Sequence, residues 1–225
     1  MKQRLRAKLR RKARLLFHRY SPFTGLDGLD KKLIAIMGNF DGGVYVEAGA
    51  NDGIRQSNTY FLARRRKWTG VLIEPIPRLA RQCVINRPES TVVCFALVEP
   101  SNSARVIQMV DVDLMSTIAI GREDLPELIQ MAEKVQGIEG QFVEVRTETL
   151  SNILESLEIS EFDFLSLDVE GYEIETLRGL DRSKHCPKYI LIETKKFEEV
   201  SELLSDTHTF NSQLSHHDYL FQKRD

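Results

Sequence analysis

The sequence predicts a doubly wound α/β fold, in which helices cover both faces of a mostly parallel sheet. Short continuous apolar runs alternate with stretches of helical periodicity along the chain. Such runs are typical of parallel strands that are buried on both faces, because a strand with one exposed face alternates apolar and polar residues. The length of 225 residues suits one large domain, or a smaller domain with an extension.

The predicted strands end at recognisable boundaries. The apolar run at residues 44–46 leads into the glycine-containing segment AGANDG, and the run at 71–73 is followed by Glu74 and Pro75. Proline lacks the backbone donor that a strand ladder needs, so Pro75 marks a strand end. Further apolar runs predict strands at residues 92–98, 142–145, 162–167, 189–192 and 219–221.

Helices are predicted between the strands, where apolar residues recur at helical spacing. The first helix, at residues 29–37, ends at Gly38, because glycine readily adopts the left-handed conformation found just after helices. The other helices are predicted at residues 58–66, 78–86, 126–135, 150–157, 174–180 and 197–204.

Residues 102–140 interrupt this alternation after the third strand. Segments of this length in a compact domain often form lids over binding sites. We therefore predict a domain at residues 21–225 with a substrate lid at 102–140, preceded by an arm at residues 1–20. The lid residues expected to face a pocket are Asp111, Asp113, Met115 and Ser116.

The net charge of −2 is unevenly distributed along the chain. Residues 1–20 contain nine Lys and Arg and no acid, so the other 205 residues carry a balance of −11. Leu5, Leu9, Ala13, Leu16 and Phe17 fall on one face of a helix in this basic arm. The arm is therefore predicted to contact an anionic membrane surface peripherally, with a nucleic-acid contact or a solvated segment as the alternatives.

The composition, with 42% hydrophobic and 28% charged residues, excludes wholesale disorder. Cys83, Cys94 and Cys186 form no CxxC or Cys/His pattern, so neither a disulfide framework nor a zinc site is predicted. No apolar run approaches the length of a membrane span, and no apolar stretch follows the basic start as in a signal peptide. These observations predict a cytoplasmic protein. A mitochondrial presequence is the alternative, although the basic start lacks Ser.

In doubly wound sheets the ligand binds beyond the carboxyl ends of the strands, where the strand order reverses. The loop after the first strand contains Gly49 and Gly53, which let a backbone turn tightly and approach a ligand. The second strand ends at Glu74, and an acid at this place is suited to the two hydroxyls of a ribose. This combination predicts a cofactor that contains adenosine.

A further strand ends in Asp168, which is followed by Glu170. An acid directly after a fully apolar strand is costly without a partner, so Asp168 is predicted to belong to the site. The competing interpretation for Glu170 is a structural carboxylate near the start of the next helix.

The motifs together resemble one protein family. VEAGANDG, SNTYFL, WTGVLIEPIP, FDFLSLDVEGYE and ILIET occur in this order at the predicted strand ends. The chain from about Gly25 to the closing HDYLFQK resembles the FkbM-type S-adenosylmethionine-dependent methyltransferases. The resemblance implies a Rossmann-like class I methyltransferase fold with a seven-stranded, mostly parallel sheet. It also implies methyl transfer to a hydroxyl oxygen of a glycan, glycolipid or related natural product.

The resemblance assigns roles to particular positions of this sequence. It implies that the methionine part of S-adenosylmethionine is lined by Glu47, Gly49 and Asn51, that Asp52 lies nearby, and that Gly53 makes the turn. Glu74 is implied to bind the ribose hydroxyls. No acid follows the third strand before Glu99, so the adenine contact is expected from the backbone. Ser57, Asn58 and Thr59 are interpreted as a helix cap, with cofactor contact as a second role.

Methyl transfer to a hydroxyl requires alignment and a base that takes the hydroxyl proton. The candidate bases, in order of preference, are Asp168, Glu170 and Glu193. No His/carboxylate spacing supports a metal site, although the acids at the strand ends leave a metal-dependent variant open. Two other functions remain open: a catalytically silent, cofactor-binding interaction module at a membrane, and a nucleic-acid methyltransferase. The acidic body and the DVEG sequence at 168–171 argue against nucleic acid as a partner.

Overall fold

The structure is a computed structural model that describes residues 23–38, 40–119, 124–137 and 139–225. The basic arm predicted at residues 1–20 lies outside the described residues, as do the helix and the surface contact predicted for it.

Strands and helices alternate along most of the described chain. The strands are β1 (Val44–Ala48), β2 (Thr69–Ile73), β3 (Thr91–Val93), β4 (Ala96–Leu97), β5 (Val106–Asp111), β6 (Thr117–Ile118), β7 (Gln141–Glu148), β8 (Phe164–Leu167), β9 (Tyr189–Glu193), β10 (His208–Gln213) and β11 (Asp218–Lys223). The helices are α1 (Leu29–Met37), α2 (Tyr60–Arg66), α3 (Pro77–Asn86), α4 (Leu125–Gln136), α5 (Leu150–Ser156), α6 (Glu173–Arg178) and α7 (Phe197–Leu204).

The main sheet has seven strands in the order β10-β11-β9-β8-β1-β2-β3. Strand β11 runs antiparallel to both of its neighbours, and the other pairs in the sheet are parallel. Ala48 at the end of β1 pairs with Ile73 of β2 and with Leu167 of β8, so the carboxyl ends of these strands are level. The predicted α/β fold with a seven-stranded, mostly parallel sheet is confirmed. Its strand order reverses between β1 and β8.

Neighbouring residues of the central strand β1 bury opposite faces of the sheet. Tyr45 packs into one apolar cluster with residues of α1, α2 and α3, whereas Val46 packs into another with residues of α5, α6 and α7. Both side chains are fully buried. This two-sided burial explains why the central strands are apolar along their whole length.

A second sheet of four strands has the order β4-β7-β5-β6. Its strands β5 and β6 lie within the segment predicted as irregular, and neither was predicted. Residues 106–118, which comprise β5, the 3₁₀ turn Asp113–Met115 and β6, are here named the insert hairpin. The predicted strand at 142–145 is part of β7 and belongs to this second sheet, where it pairs with β5.

The single strand predicted at residues 92–98 is wrong, because the chain divides it between the two sheets. Pairing of β3 with β2 ends at Val93, and Pro75 has no backbone donor to extend that ladder. The chain turns away at Cys94 and Phe95, and Ala96–Leu97 then pairs with β7. The second sheet is therefore attached directly to the carboxyl edge of the main sheet.

Candidate active site

A cleft lies over the carboxyl ends of β1, β2 and β8, and it encloses about 850 Å³ including the part that opens to solvent. This cleft is here named the central pocket. Three parts of the chain line it: the loop after β1, the segment from Ile73 to Leu97, and the residues after β8. The insert hairpin supplies a fourth wall through Met109, Asp113, Leu114, Ser116 and Ile118. The pocket thus occupies the point of strand-order reversal, where ligands bind in doubly wound folds.

Gly49 brings the loop after β1 against the end of β8. Its φ of +84° lies in the left-handed region, and a Cβ at this position would stand 1.6 Å from the carbonyl oxygen of Asp168. Only glycine permits this approach between the two loops. Gly53 also has a positive φ, and its N–H donates to the carbonyl of Ala50 at 2.8 Å, which closes the predicted turn. Gly53 itself does not line the pocket.

Glu47 connects residues 57–59 to the end of β1 through hydrogen bonds. Its Oε2 accepts hydrogen bonds from the hydroxyls of Ser57 (2.9 Å) and Thr59 (2.6 Å), and its Oε1 accepts one from the Asn58 N–H (3.0 Å). Ser57 Oγ also accepts from the N–H of Tyr60, in the first turn of α2, so Ser57 rather than Thr59 caps that helix. Glu47 lines the pocket as predicted, and these hydrogen bonds fix its carboxylate.

Asn51 and Asp52 have different environments although they are adjacent. Asn51 lines the pocket, and its side-chain oxygen accepts a 2.7 Å hydrogen bond from Arg55. Asp52 is buried outside the pocket, where its carboxylate accepts from the backbone N–H groups of Ile54 and Arg55 and from Arg55 Nε. Asp52 therefore shapes the loop, and its side chain is not positioned to touch a ligand in the pocket.

Glu74 stands at the end of β2 with both carboxylate oxygens directed at the backbone. Oε2 accepts from the Asn51 N–H at 2.7 Å, and Oε1 accepts from the Ile76 N–H at 2.9 Å. Burial raises the pKa of Glu74 to about 8, and the negative charge of Asp111 adds to the rise. Each carboxylate oxygen has further acceptor capacity, so this group could also accept from two hydroxyls of a ligand.

An apolar slot adjoins Glu74 in the same pocket. It is lined by Ile73, Pro75, Phe95, Ala96, Leu97, Met109 and Ile118. The guanidinium of Arg146 lies 4.5 Å from the centroid of the Phe95 ring, which holds that ring in place. No acidic side chain lines this slot, so a flat apolar ring fits it best.

Asn58 provides an unsatisfied acceptor in the pocket wall. Its Nδ2 donates to Ser166 Oγ at 3.1 Å, while its Oδ1 is buried and has no hydrogen-bond partner among the described residues. A buried oxygen of this kind is costly unless a donor occupies it. Asn58 Oδ1 could therefore accept a hydrogen bond from a donor such as an ammonium group. The sequence interpretation of a cap with a second, cofactor-binding role is compatible with this geometry.

Asp168 lies where the central pocket meets a second and larger space, here named the outer cleft. Asp168, Glu170 and Tyr172 line both cavities, and Glu193 lines only the outer cleft. Burial of the Asp168 carboxyl, together with the negative charge of Glu193 and Glu170, raises the pKa of Asp168 well above its ordinary value.

Acidic groups dominate the outer cleft. Its charged lining comprises Asp124, Glu127, Asp168, Glu170, Glu173, Glu175, Glu193, Lys195 and Lys196. Burial raises the pKa of Glu173, and burial followed by the charge of Asp218 raises that of Glu193. Burial therefore favours the neutral form of these carboxyls, and an acid at the junction is in a suitable environment to exchange a proton with a bound molecule.

Two arginines that were not predicted connect the insert hairpin to the pocket. Arg55 bonds to Asp113, and Arg78 bonds to Asp111, each through two guanidinium nitrogens. Both arginines follow loop segments that would be interpreted from the sequence as surface positions. Of the four lid residues predicted to face a pocket, Asp113 and Ser116 line the central pocket, Met115 lines the outer cleft and Asp111 holds Arg78.

Within the described residues, no group of three or more His, Cys, Asp or Glu side chains is arranged to hold a metal ion. The same part of the chain contains no helix with the length and hydropathy needed to cross a membrane.

Residues 47–221 match the family described as the methyltransferase FkbM domain. No curated protein sequence matches the chain. One similar solved structure is a TehB-like SAM-dependent methyltransferase from Corynebacterium glutamicum, at 11% identity and a TM-score of 0.48, over 96% of this chain and 97% of that chain.

Two further structures with this kind of similarity are methyltransferases or bind a methyltransferase product. TrmK from M. capricolum, in complex with S-adenosyl-homocysteine, is 10% identical with a TM-score of 0.42, over 88% of this chain and 67% of that chain. The human methyltransferase 10 domain containing protein is 11% identical with a TM-score of 0.48, over 87% of this chain and 81% of that chain.

Proposed function

The chain belongs to the FkbM methyltransferase family and is an S-adenosylmethionine-dependent methyltransferase, and we propose that it methylates a hydroxyl oxygen of a glycan, glycolipid or related natural product. The observation that carries this proposal is the position of Asp168. Its carboxyl borders both the central pocket and the outer cleft, so one group can face a cofactor on one side and an acceptor on the other.

The central pocket offers a partner for each part of S-adenosylmethionine. The apolar slot beside Phe95 suits the adenine ring, and the Glu74 carboxylate suits the two ribose hydroxyls. The buried, unpartnered Oδ1 of Asn58 suits the ammonium group of the methionine part, next to Glu47, Gly49 and Asn51. When bound, S-adenosylmethionine supplies a methyl group that is already activated by its positively charged sulfur.

We propose that Asp168 accepts the proton of the acceptor hydroxyl. A hydroxyl is a weak nucleophile, and a base within hydrogen-bond reach favours its attack. Burial and the neighbouring acids raise the pKa of Asp168, so they favour its protonated form in the free protein. A positive charge bound in the central pocket favours the ionised form of Asp168, so a base becomes available when the cofactor is in place.

Glu193 and Glu170 have supporting roles in this proposal. Glu193 lines the outer cleft and its charge acts on Asp168, so it can pass the proton on to solvent. Glu170 lines both cavities beside Asp168 and adds negative charge to the junction. The order of candidate bases inferred from the sequence is therefore kept, with Asp168 first.

The charge of the outer cleft supports an uncharged acceptor. Seven carboxyl side chains and two lysines line it, and a phosphate backbone would be repelled by this excess of acids. A polyhydroxylated molecule is compatible with the cleft, because carboxyl groups accept hydrogen bonds from hydroxyls.

The experiment that tests this function follows a labelled methyl group. The protein is incubated with methyl-labelled S-adenosylmethionine and with polysaccharide, lipid and RNA fractions, and wild type is compared with Asp168→Asn. Label that enters the polysaccharide or lipid fraction as a methyl ether, and is lost in Asp168→Asn, is the expected result.

The Glu202→Gln variant is the matched control, because Glu202 is an exposed acid of α7 that lines neither the central pocket nor the outer cleft. It should transfer label at nearly the wild-type rate. Label in RNA alone would overturn the proposed acceptor class. Bound cofactor with no transfer to any fraction would instead favour a catalytically silent interaction module.

A further inference from the structure

The insert hairpin bonds to the loop after β1 through a buried ion pair. Arg55 Nη1 and Nη2 donate to the two carboxylate oxygens of Asp113 at 2.9 and 2.6 Å. The side chains of Arg55 and Asp113 are only 5% and 2% exposed. The same guanidinium donates to Asp52 and to the side-chain oxygen of Asn51, which lines the central pocket. One arginine therefore connects the hairpin turn to the loop that would hold the methionine part of the cofactor.

A second pair connects the hairpin to the segment after β2. Arg78, in the first turn of α3, donates through Nε and Nη2 to the two oxygens of Asp111. Arg78 lies only four positions after Glu74, the proposed ribose ligand. Glu74 in turn accepts the N–H of Asn51, so the segments that Arg55 and Arg78 hold are bonded to each other.

A third bond connects the hairpin to the loop after β8. The hydroxyl of Thr117 donates to the carbonyl oxygen of Glu170 at 3.0 Å, and Thr117 is fully buried. Glu170 has a φ of +53°, a strained conformation for a residue with a side chain. The hydrogen bond from Thr117 helps to hold that conformation two residues beyond Asp168.

Through these contacts the insert hairpin is bonded to the loop after β1, the segment after β2 and the loop after β8, so a movement of the hairpin would shift all three. Asp111 binds Arg78 of α3, whereas Asp113 binds Arg55 of the loop after β1 and also lies 3.7 Å from Arg78. A buried ion pair stabilises a fold little in net terms, but removal of one partner leaves an uncompensated charge. The geometry points to a role in positioning. We propose that Asp111 and Asp113 are positioning residues. They hold the insert hairpin against the three loops, so these contacts and cofactor binding stabilise each other.

This inference rests on the proposed function, since it assumes that the central pocket holds the cofactor. It also modifies the predicted lid. The hairpin is expected to form a fixed wall beside the cofactor, while Asp124, Glu127, Leu128 and Met131 from the later part of the segment line the outer cleft. Thermodynamic linkage requires the effect to be reciprocal. A ligand that binds more tightly when the insert hairpin contacts the three loops must also stabilise those contacts.

The test measures binding of S-adenosylhomocysteine, the demethylated product, by calorimetry and hydrogen exchange of residues 106–118 by mass spectrometry. In wild type, the ligand should slow exchange in the hairpin. Asp113→Asn and Arg78→Gln should each weaken binding by about 5- to 150-fold, the usual range of coupling energies, and reduce this protection. Arg78→Gln is included because Arg78 is 34% exposed, so this variant is expected to fold.

The control variant is Asp206→Asn, which removes the partner of Arg182 at 3.3 Å on an exposed surface remote from the pocket. It should leave ligand affinity and hairpin exchange unchanged. A lowered thermal midpoint with unchanged affinity in Arg78→Gln and Asp113→Asn would overturn the inference, because it would assign them a merely structural role. Ligand binding that leaves wild-type hairpin exchange unchanged would also overturn it. Failure of wild type to bind the ligand would count against the proposed function instead.

Discussion

The ionisation of Glu74 gives the proposed cofactor site a pH dependence that can be measured. Burial raises the pKa of this carboxyl to about 8, so the free protein holds it mainly in the neutral form at pH 7. Two ribose hydroxyls donate best to the ionised carboxylate. Binding therefore expels a proton, and affinity should increase as the pH rises towards 8 and level off above it.

The size of the effect follows from the fraction of ionised Glu74. When only the ionised form binds, the apparent dissociation constant rises by about 100-fold at pH 6, about 11-fold at pH 7 and about 2-fold at pH 8. At pH 7 about 0.9 proton should be released per ligand bound. The same shift makes the free protein less stable as the pH rises from the ordinary glutamate range through about 8, because the folded state holds this proton more tightly than the unfolded chain.

Isothermal titration calorimetry with S-adenosylhomocysteine tests this prediction at pH 6, 7, 8 and 9. Buffers with different ionisation enthalpies report the number of protons released. Glu74→Gln is the comparison, because its amide keeps the shape and does not titrate. The variant should bind about 10- to 100-fold more weakly at pH 8, where it lacks a charged acceptor. Between pH 6 and 9 the affinity of the variant should lack the pH dependence that the ionisation of Glu74 gives to wild type.

The ligand's own ionisations are the same in both proteins, so the difference between them reports on Glu74. Glu175→Gln serves as a control for the loss of any acid near the site and should follow wild type. Identical pH profiles for wild type and Glu74→Gln would refute the reasoning, as would proton release that is unchanged in the variant.

Three further predictions concern the base, the loop contact and the arm. Asp168→Asn should lower kcat by about 10²- to 10⁴-fold while it changes cofactor affinity only a few-fold, and the pH–rate profile of wild type should rise with pH above the ordinary aspartate range; a variant with a normal kcat would exclude Asp168 as the base. Gly49→Ala should abolish folding or cofactor binding because its Cβ meets a backbone oxygen, whereas Gly28→Ala, with φ of +72° and open space, should cost about 1–2 kcal/mol in urea unfolding. Deletion of residues 1–20 should leave turnover unchanged and lower co-sedimentation with anionic vesicles; equal co-sedimentation would remove the arm's proposed role.

The central strands could be predicted because their burial on both faces leaves an apolar run that is visible locally. The edge strand His208–Gln213 has no such run, since only its first residue is buried, and it was missed. The break after β3 depends on which backbone groups of the neighbouring strand can pair. That information belongs to Pro75, nineteen positions before Cys94, and no pattern within 92–98 contains it.

The site was predictable where strand ends determine it. Gly49, Asn51, Glu74 and Asp168 all line the central pocket, because the level carboxyl ends of β1, β2 and β8 bring their loops together. Asp52 was grouped with them on sequence proximity, but its side chain turns to Arg55, outside the pocket. The functional roles of all these residues remain predictions.

Arg55 and Arg78 were missed for a different reason. Each finds its aspartate partner far along the chain, 58 positions away for Arg55 and 33 for Arg78. An arginine near a helix start is indistinguishable by composition from a solvated surface residue. Asp111 and Asp113 were noticed as pocket candidates, and their alternation along β5 and its turn is the signal that could have suggested paired cations nearby.

The passage of the chain from β3 into Ala96–Leu97 has a consequence for how new members of this family could be engineered. The segment proposed to face the acceptor could be exchanged between relatives to alter what is methylated. The ends of the exchanged segment would then have to keep hydrogen-bonded strands together. A graft that began after Leu97 would separate β4 from its partner β7, which pairs with it at Thr147 and Glu148. The smallest transplantable unit therefore runs from Cys94 to Thr149, and it must be accompanied by arginines at positions 55 and 78 in the recipient.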